Sequence, residues 1–472
     1  MAAVQETIDI VNPATSEKLS MVPLATADEV TEVVEASAAA FPAWRETPAP
    51  DRIQYLFKFK QLLEQHYDDI ARTITLENGK TFAEAKAELR RGIENVEVAC
   101  GIPTLMQGYN LEDVARGIDE IMIRQPLGVV AAITAFNFPA MIPLWFLPYA
   151  IACGNTFILK PSERVPLTAR KLLDLLAETG LPPGVASLVI GAKPAVDALL
   201  QHPKVRAISF VGSTPVAKYI YAEASAHGKR VQCQGGAKNH VIVMPDADMH
   251  TSAQIVSDSA FGCAGQRCLA VSVAVTVGEA KKPFEDAILD IASKLKVGNG
   301  LDQSVQMGPV ISSKSKERIE RLISHGVTSG GKALLNGGDV PGDGYFVKPT
   351  ILENIQRDNA LTTTEIFGPV LTLSNARDLD NAMDVLAASS FGNAASIFTS
   401  SGAVARKFRY QVPTGNVGVN LGVAAPMAYF PFSGWKDSFL GVLHGQGRDA
   451  VEFYTDKKVV IERWPKEWSR KF

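Results

Sequence analysis

The sequence predicts an α/β protein with a doubly wound sheet of buried parallel strands and a second region of alternating strands and helices, and three observations predict it. Short apolar runs such as residues 128–134 alternate with helical patterns, as buried parallel strands joined by crossover helices require. A chain of 472 residues is too long for one core, so two or three domains are expected. Hydrophobic residues make up 46% and charged residues 21%, an ordinary balance for a soluble globular protein.

The first hundred residues read as helices. Thr26 and Glu29 have the spacing of a capping box, and Val30, Val33, Val34 and Ala38 follow at helical intervals. Further helices are expected over 51–66, 69–76 and 80–99. In the last of these, Arg90-Arg91-Gly92 sets two cations beside a glycine, which by itself reads as a solvated face. The pattern changes after Ile121. Strands are expected over 128–134, 156–159, 186–190 and 207–211, with helices over 141–153, 167–179 and 195–201 between them. Ligands of such sheets sit beyond the carboxyl ends of the strands. A second alternating region follows, with strands over 241–244, 270–277, 333–336, 370–373 and 394–399. Near the end, Trp464 and Trp468 lie among charges, as large amphipathic rings at an oligomer contact would.

Several function classes are excluded. A net charge of −3 gives no electrostatic reason to expect nucleic acid or an anionic membrane. The five cysteines are odd in number and scattered, which suits a reducing cytoplasm better than a disulfide framework. With no Cys-x-x-Cys and only seven dispersed histidines, no metal site is expected. The start, Met1 to Glu6, has neither the basic residues nor the apolar run of a signal peptide. The apolar region 128–159 is interrupted by Asn137, Pro139, Pro143, Pro148 and Asn155, so it reads as core rather than membrane span.

Four stretches carry candidate chemistry. In Phe261-Gly262-Cys263-Ala264-Gly265-Gln266-Arg267-Cys268, small residues lead to a cysteine with a cationic neighbour, and a cation favours the nucleophilic thiolate. Alone, Cys268 fits inert packing as well. Gly212-Ser213-Thr214-Pro215 follows a strand; Ser213 or Thr214 can cap the next helix, whose free N–H groups suit phosphate oxygens. Lys160 to Glu163 ends another strand. There Glu163 can accept both hydroxyls of an adenosine ribose and would repel a 2′-phosphate, which favours NAD over NADP, or the stretch is a charged turn. Asn137, between Phe136 and Phe138, is either an oxyanion donor or a helix cap before Pro139.

These stretches coincide with a known family. Phe136-Asn137-Phe138-Pro139, Gly154-Asn155-Thr156 with Lys160-Pro161-Ser162-Glu163, and Phe210-Val211-Gly212-Ser213 resemble the aldehyde dehydrogenase superfamily. So do Gly265-Gln266-Arg267-Cys268, Glu365-Ile366-Phe367-Gly368-Pro369-Val370 and Asn416-Val417-Gly418-Val419-Asn420, in the family's order across nearly the whole chain. The resemblance implies that Cys268 attacks an aldehyde and that Asn137 and the Cys268 N–H hold the oxyanion. It also implies an NAD site of Phe136, Lys160, Ser162, Glu163, Gly212, Ser213, Glu365 and Phe367. The implied fold has a Rossmann-like NAD-binding domain (1–106 and 127–233), an α/β catalytic domain (234–455) and a small oligomerisation hairpin (107–126 with 456–472). A cytoplasmic homodimer or homotetramer is expected.

Three positions depart from the common pattern. Ala217 stands where many members have glycine, and Leu269 where methionine is usual after the cysteine. At Gln232-Cys233-Gln234-Gly235-Gly236-Ala237-Lys238-Asn239-His240, alignment on Gly236 and Lys238 puts Gln234 where hydrolytic members carry a glutamate that activates water. An amide cannot take that proton, whereas the coenzyme A thiol needs no strong base. The resemblance thus narrows to the CoA-acylating methylmalonate- or malonate-semialdehyde dehydrogenase branch, which Gly236-Ala237-Lys238-Asn239-His240 and Pro431-Phe432-Ser433-Gly434-Trp435-Lys436 also resemble. In that branch, arginines matching Arg91 and Arg267 bind the substrate carboxylate, as a guanidinium fork can. The products are then propionyl-CoA or acetyl-CoA. Hydrolytic oxidation to a free acid, and a non-catalytic protein on the same scaffold, stand as alternatives.

Overall fold

Two sheets, each edged by one antiparallel strand, organise the computed structural model, which describes residues 6–338, 340 and 342–464. The first sheet has six strands in the order Phe439–Leu440, Arg230–Gln234, Val205–Val211, Val129–Ile133, Thr156–Lys160 and Ala186–Leu188. All pair in parallel except the first. Val129–Ile133 is buried along its whole length because helices cover both faces, hence its unbroken apolar run. The chain starts there, builds outward through Thr156–Lys160 and Ala186–Leu188, then returns to lay Val205–Val211 on the other side. That reversal opens a crevice beyond the carboxyl ends of Val129–Ile133 and Val205–Val211.

The second sheet has seven strands: Lys332–Asn336, Thr350–Glu353, Val370–Ala376, Val271–Val277, Asn239–Val243, Ala394–Phe398 and Asn416–Val419. Lys332–Asn336 is its antiparallel edge. A third, three-stranded antiparallel sheet joins Thr455–Arg463, Ile118–Pro126 and Tyr109–Ala115. Its register puts Tyr109, Met122 and Val459 in one row and Leu111, Glu120 and Ile461 in the next. Tyr109, Leu111, Val459 and Ile461 are all more than half exposed. Trp464 is also exposed, and Trp468 lies outside the described residues.

The N-terminal helices Ala27–Glu46, Ala49–Gln65, Tyr67–Asn78 and Phe82–Ala99 pack on the first sheet and on the helix Met141–Ala152 through Leu56, Phe59, Ile74, Leu89, Ile93 and Phe146. The Thr26–Glu29 capping box forms. The helix expected from residue 80 begins instead at Phe82, because Thr81 and Glu84 make a second capping box. Lys80 is thereby left outside the helix and buried. No helix among the described residues is long and apolar enough to cross a membrane.

Sequence reading missed some strands. Arg230–Gln234 carries Gln232 and Gln234 on its inner side, and both are buried by hydrogen bonds that no pattern shows. The N-terminal hairpin of Thr7–Val11 and Lys18–Pro23 carries no strong pattern either, since only Ile10 and Val22 of its strands are fully buried, with Ile8 and Leu19 partly so.

Candidate active site

The helix Met249–Phe261 ends at Gly262, and the chain then makes a left-handed turn. Cys263, Ala264 and Gly265 have φ of 49°, 52° and 69° in succession. Each non-glycine residue there costs roughly 1–2 kcal/mol. Gly265 is required, since a Cβ would lie 2.1 Å from the Gly368 carbonyl oxygen. The turn delivers Gln266, Arg267 and Cys268 to the start of Val271–Val277. Cys268 is therefore at the amino ends of the second sheet, whereas Asn137 follows the carboxyl end of Val129–Ile133 in the first.

The two meet across that seam. Asn137 Nδ2 lies 3.7 Å from Cys268 Sγ and donates to the Gln266 carbonyl at 3.0 Å. Asn137 is 1% exposed, and its Oδ1 has no protein partner. The alternative role of Asn137 as a helix cap fails, because the following helix starts at Met141 with Ala140 before it. Glu88 instead accepts from the Ala140 and Met141 amides at 2.8 and 3.2 Å. Lys80, paired with Glu88, donates to the Asn137 carbonyl at 2.6 Å.

The Cys268 thiol is partly buried, and burial pushes its pKa up to about 12, with the nearby Glu365 adding to the rise. The expected help from Arg267 to this thiolate is not what the geometry gives. Arg267 Nε donates to Cys263 Sγ at 3.3 Å and Nη2 pairs with Glu84 at 3.2 Å, so its charge is spent on those groups. Asn137 and the Cys268 backbone amide are what work against the rise.

Glu365 precedes Val370–Ala376 and accepts from the Ala237 amide at 2.9 Å. Gly236 permits the approach, since a Cβ there would meet Glu365 Oε2 at 2.7 Å. Burial raises the Glu365 pKa to about 7, against the pull of the Ala237 amide, Arg318 and Lys238. Phe367 has φ of 52° and sets its ring edge-on to Phe136, with centroids 5.7 Å apart. These two motifs, far apart in sequence, are thus neighbours.

The remaining candidates lie at the carboxyl ends of the first sheet. Lys160 is buried and 3.4 Å from Glu163, and Ser162 Oγ accepts from the Arg164 amide. Gly212 leads to Ser213, which holds the cap position of the helix Thr214–Ala226 without its hydroxyl bonding a helix amide. Thr214 does not cap either; its hydroxyl accepts from Gly236 N–H and donates to the Asp437 carbonyl. A helix N-terminus with no side-chain cap at the reversal of strand order fits a pyrophosphate.

Gln234 ends Arg230–Gln234 and is 5% exposed. In the amide orientation that satisfies both ends, it donates to the Phe210 carbonyl at 2.9 Å and accepts from Gly445 N–H at 3.1 Å. Arg91 is half-buried, paired with Glu94 at 2.9 Å and donating to the Pro426 carbonyl at 2.6 Å, while Arg90 grips Glu97 on the surface. Asn239, which entered the sequence reading only as part of the Gly236–His240 string, and Asn393, which it passed over, both donate to the Cys268 carbonyl. The sequence gives neither residue a role; each lies at or just before the start of a strand.

A thiol and an amide donor facing each other between a dinucleotide-type sheet and a second α/β sheet define a class, the cysteine-dependent dehydrogenases. The chain belongs to the aldehyde dehydrogenase family, which matches residues 1–460. It is 51% identical over 456 residues to malonate-semialdehyde dehydrogenase 2 of Geobacillus kaustophilus (strain HTA426), covering 96% of this chain and 94% of that one. Among solved structures, it resembles the methylmalonate-semialdehyde dehydrogenase from Oceanimonas doudoroffii with a TM-score of 0.97 and 45% identity, covering 99% and 98% of the two chains. A protein from Sinorhizobium meliloti 1021 assigned the same activity, in a structure complexed with NAD, matches with a TM-score of 0.97 and 41% identity, covering 98% and 96%.

Proposed function

We propose that this enzyme oxidises a small carboxylated aldehyde, malonate or methylmalonate semialdehyde, with NAD and passes the acyl group to coenzyme A. The similarity to enzymes named for those substrates supports the substrate class. The observation that carries the choice of coenzyme A is Gln234, whose amide is held between Phe210 and Gly445 and has no capacity to take a proton from water.

Cys268 Sγ, as thiolate, adds to the aldehyde carbon, and the carbonyl π electrons move onto oxygen. Asn137 Nδ2 exchanges its present bond to Gln266 for that oxyanion, with the Cys268 N–H as second donor. NAD, when bound, would supply the acceptor for the hydride that leaves as the oxyanion collapses. Phe136, Lys160, Ser162, Glu163, Gly212, Ser213, Glu365 and Phe367 are the residues that would hold it, along the crevice of the first sheet. The thioacyl group on Cys268 is then attacked by the coenzyme A thiolate; the Cys268 C–S bond breaks and the cysteine thiolate is restored. Loss of the substrate carboxylate as CO2 breaks its bond to the α-carbon, the electron pair passes into the thioester as an enolate, and a proton taken up from solvent gives acetyl-CoA or propionyl-CoA.

Arg91 and Arg267 grip the substrate carboxylate. For this, Arg91 must loosen its hold on Pro426, and Arg267 must share its fork with Glu84. Residues 1–106 with 127–233 form the cofactor domain and 234–455 the catalytic domain, except that Phe439–Leu440 edges the sheet of the former. The exposed apolar rows of the three-stranded sheet support self-association through 107–126 and 456–472, as a cytoplasmic homodimer or homotetramer.

NADH formation from malonate semialdehyde with and without coenzyme A tests the reading. Turnover indifferent to coenzyme A, with a free acid as product, would replace it with hydrolytic oxidation. A Cys268→Ala variant of full activity would end both. For substrate class, Arg91→Leu should raise KM for carboxylated aldehydes far more than for propanal.

A further inference from the structure

The mechanism uses the sulfur, the side chain of Asn137 and the N–H of Cys268, but not the Cys268 carbonyl. That carbonyl is unusually occupied. Asn239 Nδ2 donates to it at 2.7 Å and Asn393 Nδ2 at 2.8 Å, so both lone pairs face a side-chain amide. Both asparagines are buried, at 3% and 4% exposure. Asn239 begins one strand of the second sheet and Asn393 immediately precedes another. A polar side chain in such a place is expected to serve its own strand ends. Asn239 does so in part, donating to the Ala270 carbonyl at 2.9 Å and accepting from the Ala394 amide at 3.0 Å. Asn393 presents its side chain to Cys268, while its main-chain carbonyl is held by the Asn416 amide at 2.9 Å and Asn416 Nδ2 at 3.0 Å.

The neighbouring peptides are fixed as well. The Gln266 carbonyl accepts from Asn137, and the Arg267 carbonyl accepts from the Ala270 amide at 3.1 Å. Of the three, the Cys268 carbonyl is the one held by two donors from outside the loop. Holding it sets ψ of Cys268, and with it the direction of the Cα–Sγ arm and of the N–H relative to Asn137. This matters because the preceding turn is strained at Cys263 and Ala264 and would relax if its far end were released.

We infer that Asn393 and Asn239 are positioning residues for the nucleophile: their paired hydrogen bonds to the Cys268 carbonyl hold the thiol and its N–H in register with the Asn137 amide. The inference rests on Cys268 being the nucleophile, but not on which acceptor takes the acyl group.

Asn393 is the clean test, since removing its amide leaves the Asn416 bonds to the Asn393 main chain intact. We would measure the single-turnover burst of NADH for Asn393→Leu, Asn393→Ala and Asn393→Ser, beside wild type and Cys268→Ala. Losing one of two donors should slow the burst by about tenfold in the leucine and alanine variants, because small misplacements at a reacting centre cost up to about a hundredfold. KM for NAD should stay within about twofold, and serine, which keeps a short donor, should recover part of the rate. A burst within about twofold of wild type in the alanine variant overturns the inference, as does a loss that serine does not relieve or that tracks a higher KM for NAD. If leucine prevents folding, the alanine and serine pair decides alone. A burst that persists in Cys268→Ala would instead overturn the reading of the site itself.

Discussion

At the scale of single residues, Cys268 and Glu365 are coupled charges. Burial first, and the Glu365 carboxylate second, together push the thiol up to about 12. Glu365→Gln keeps an acceptor for Ala237 and removes that repulsion. Alkylation of Cys268 by iodoacetamide at pH 8, without cofactor, should therefore be faster in the variant; an unchanged or slower rate would dissociate the two groups. The same residue makes stability depend on pH. Its folded pKa of about 7 lies above the ordinary 4.5, so the folded state binds more protons between those values. Its contribution is complete below pH 4.5 and is lost as pH rises through 7. Above that, the ionised carboxylate destabilises the cofactor-free protein by about 1–2 kcal/mol, allowing for its partial exposure. Glu365→Gln should thus melt higher than wild type at pH 8 and nearly equal to it at pH 4.5.

At the scale of elements, the start of the helix Phe82–Ala99 ties several parts of the site together. Its cap-box residue Glu84 also accepts from the Cys263 amide at 2.6 Å and pairs with Arg267, so the helix and the cysteine turn share one carboxylate. Thr81→Ala should cost about 1 kcal/mol of stability and leave kcat nearly unchanged. Glu88→Gln should cost about 3–5 kcal/mol by denaturant titration, because it leaves the Lys80 ammonium buried without its counter-charge. Equal small effects would show that water reaches Lys80. These elements also mark the limit of what the sequence makes legible. The apolar runs and the cap at Thr26 can be read directly, since each carries a local signature, whereas Cys268, Asn137 and Glu365 are legible only through the family resemblance of the motifs around them. Lys80, Asn239 and Asn393 cannot be read directly either. They are polar residues buried by partners remote in the chain, and a polar residue in sequence looks the same whether water or a carbonyl faces it. The expected help from Arg267 to the Cys268 thiolate failed for a related reason. Adjacency to Cys268 suggested a shared charge, but the side chain points the other way, to Cys263 and Glu84.

On the whole molecule, the rule that ligands gather at carboxyl ends of strands holds for the first sheet and reverses for the second. Cys268, Asn239, Glu365 and Asn393 all precede or begin strands of that sheet. The site is therefore a meeting of opposite sheet ends, which an alternation of strands and helices cannot reveal. The third sheet stands apart, with Leu111 and Ile461 63% and 66% exposed in the same row. Ile461→Asp should shift the protein to smaller species in size-exclusion chromatography with little loss of monomer stability. An unchanged elution volume would place self-association elsewhere.

The 3.7 Å between Asn137 Nδ2 and Cys268 Sγ thus belongs to no single segment of the chain. One atom is carried by each layer, so the gap acts as a gauge of how far apart the layers stand. Because Asn137 also donates to Gln266 across the same seam, a substitution that shifts one layer against the other is expected to change the reaction rate through both contacts at once.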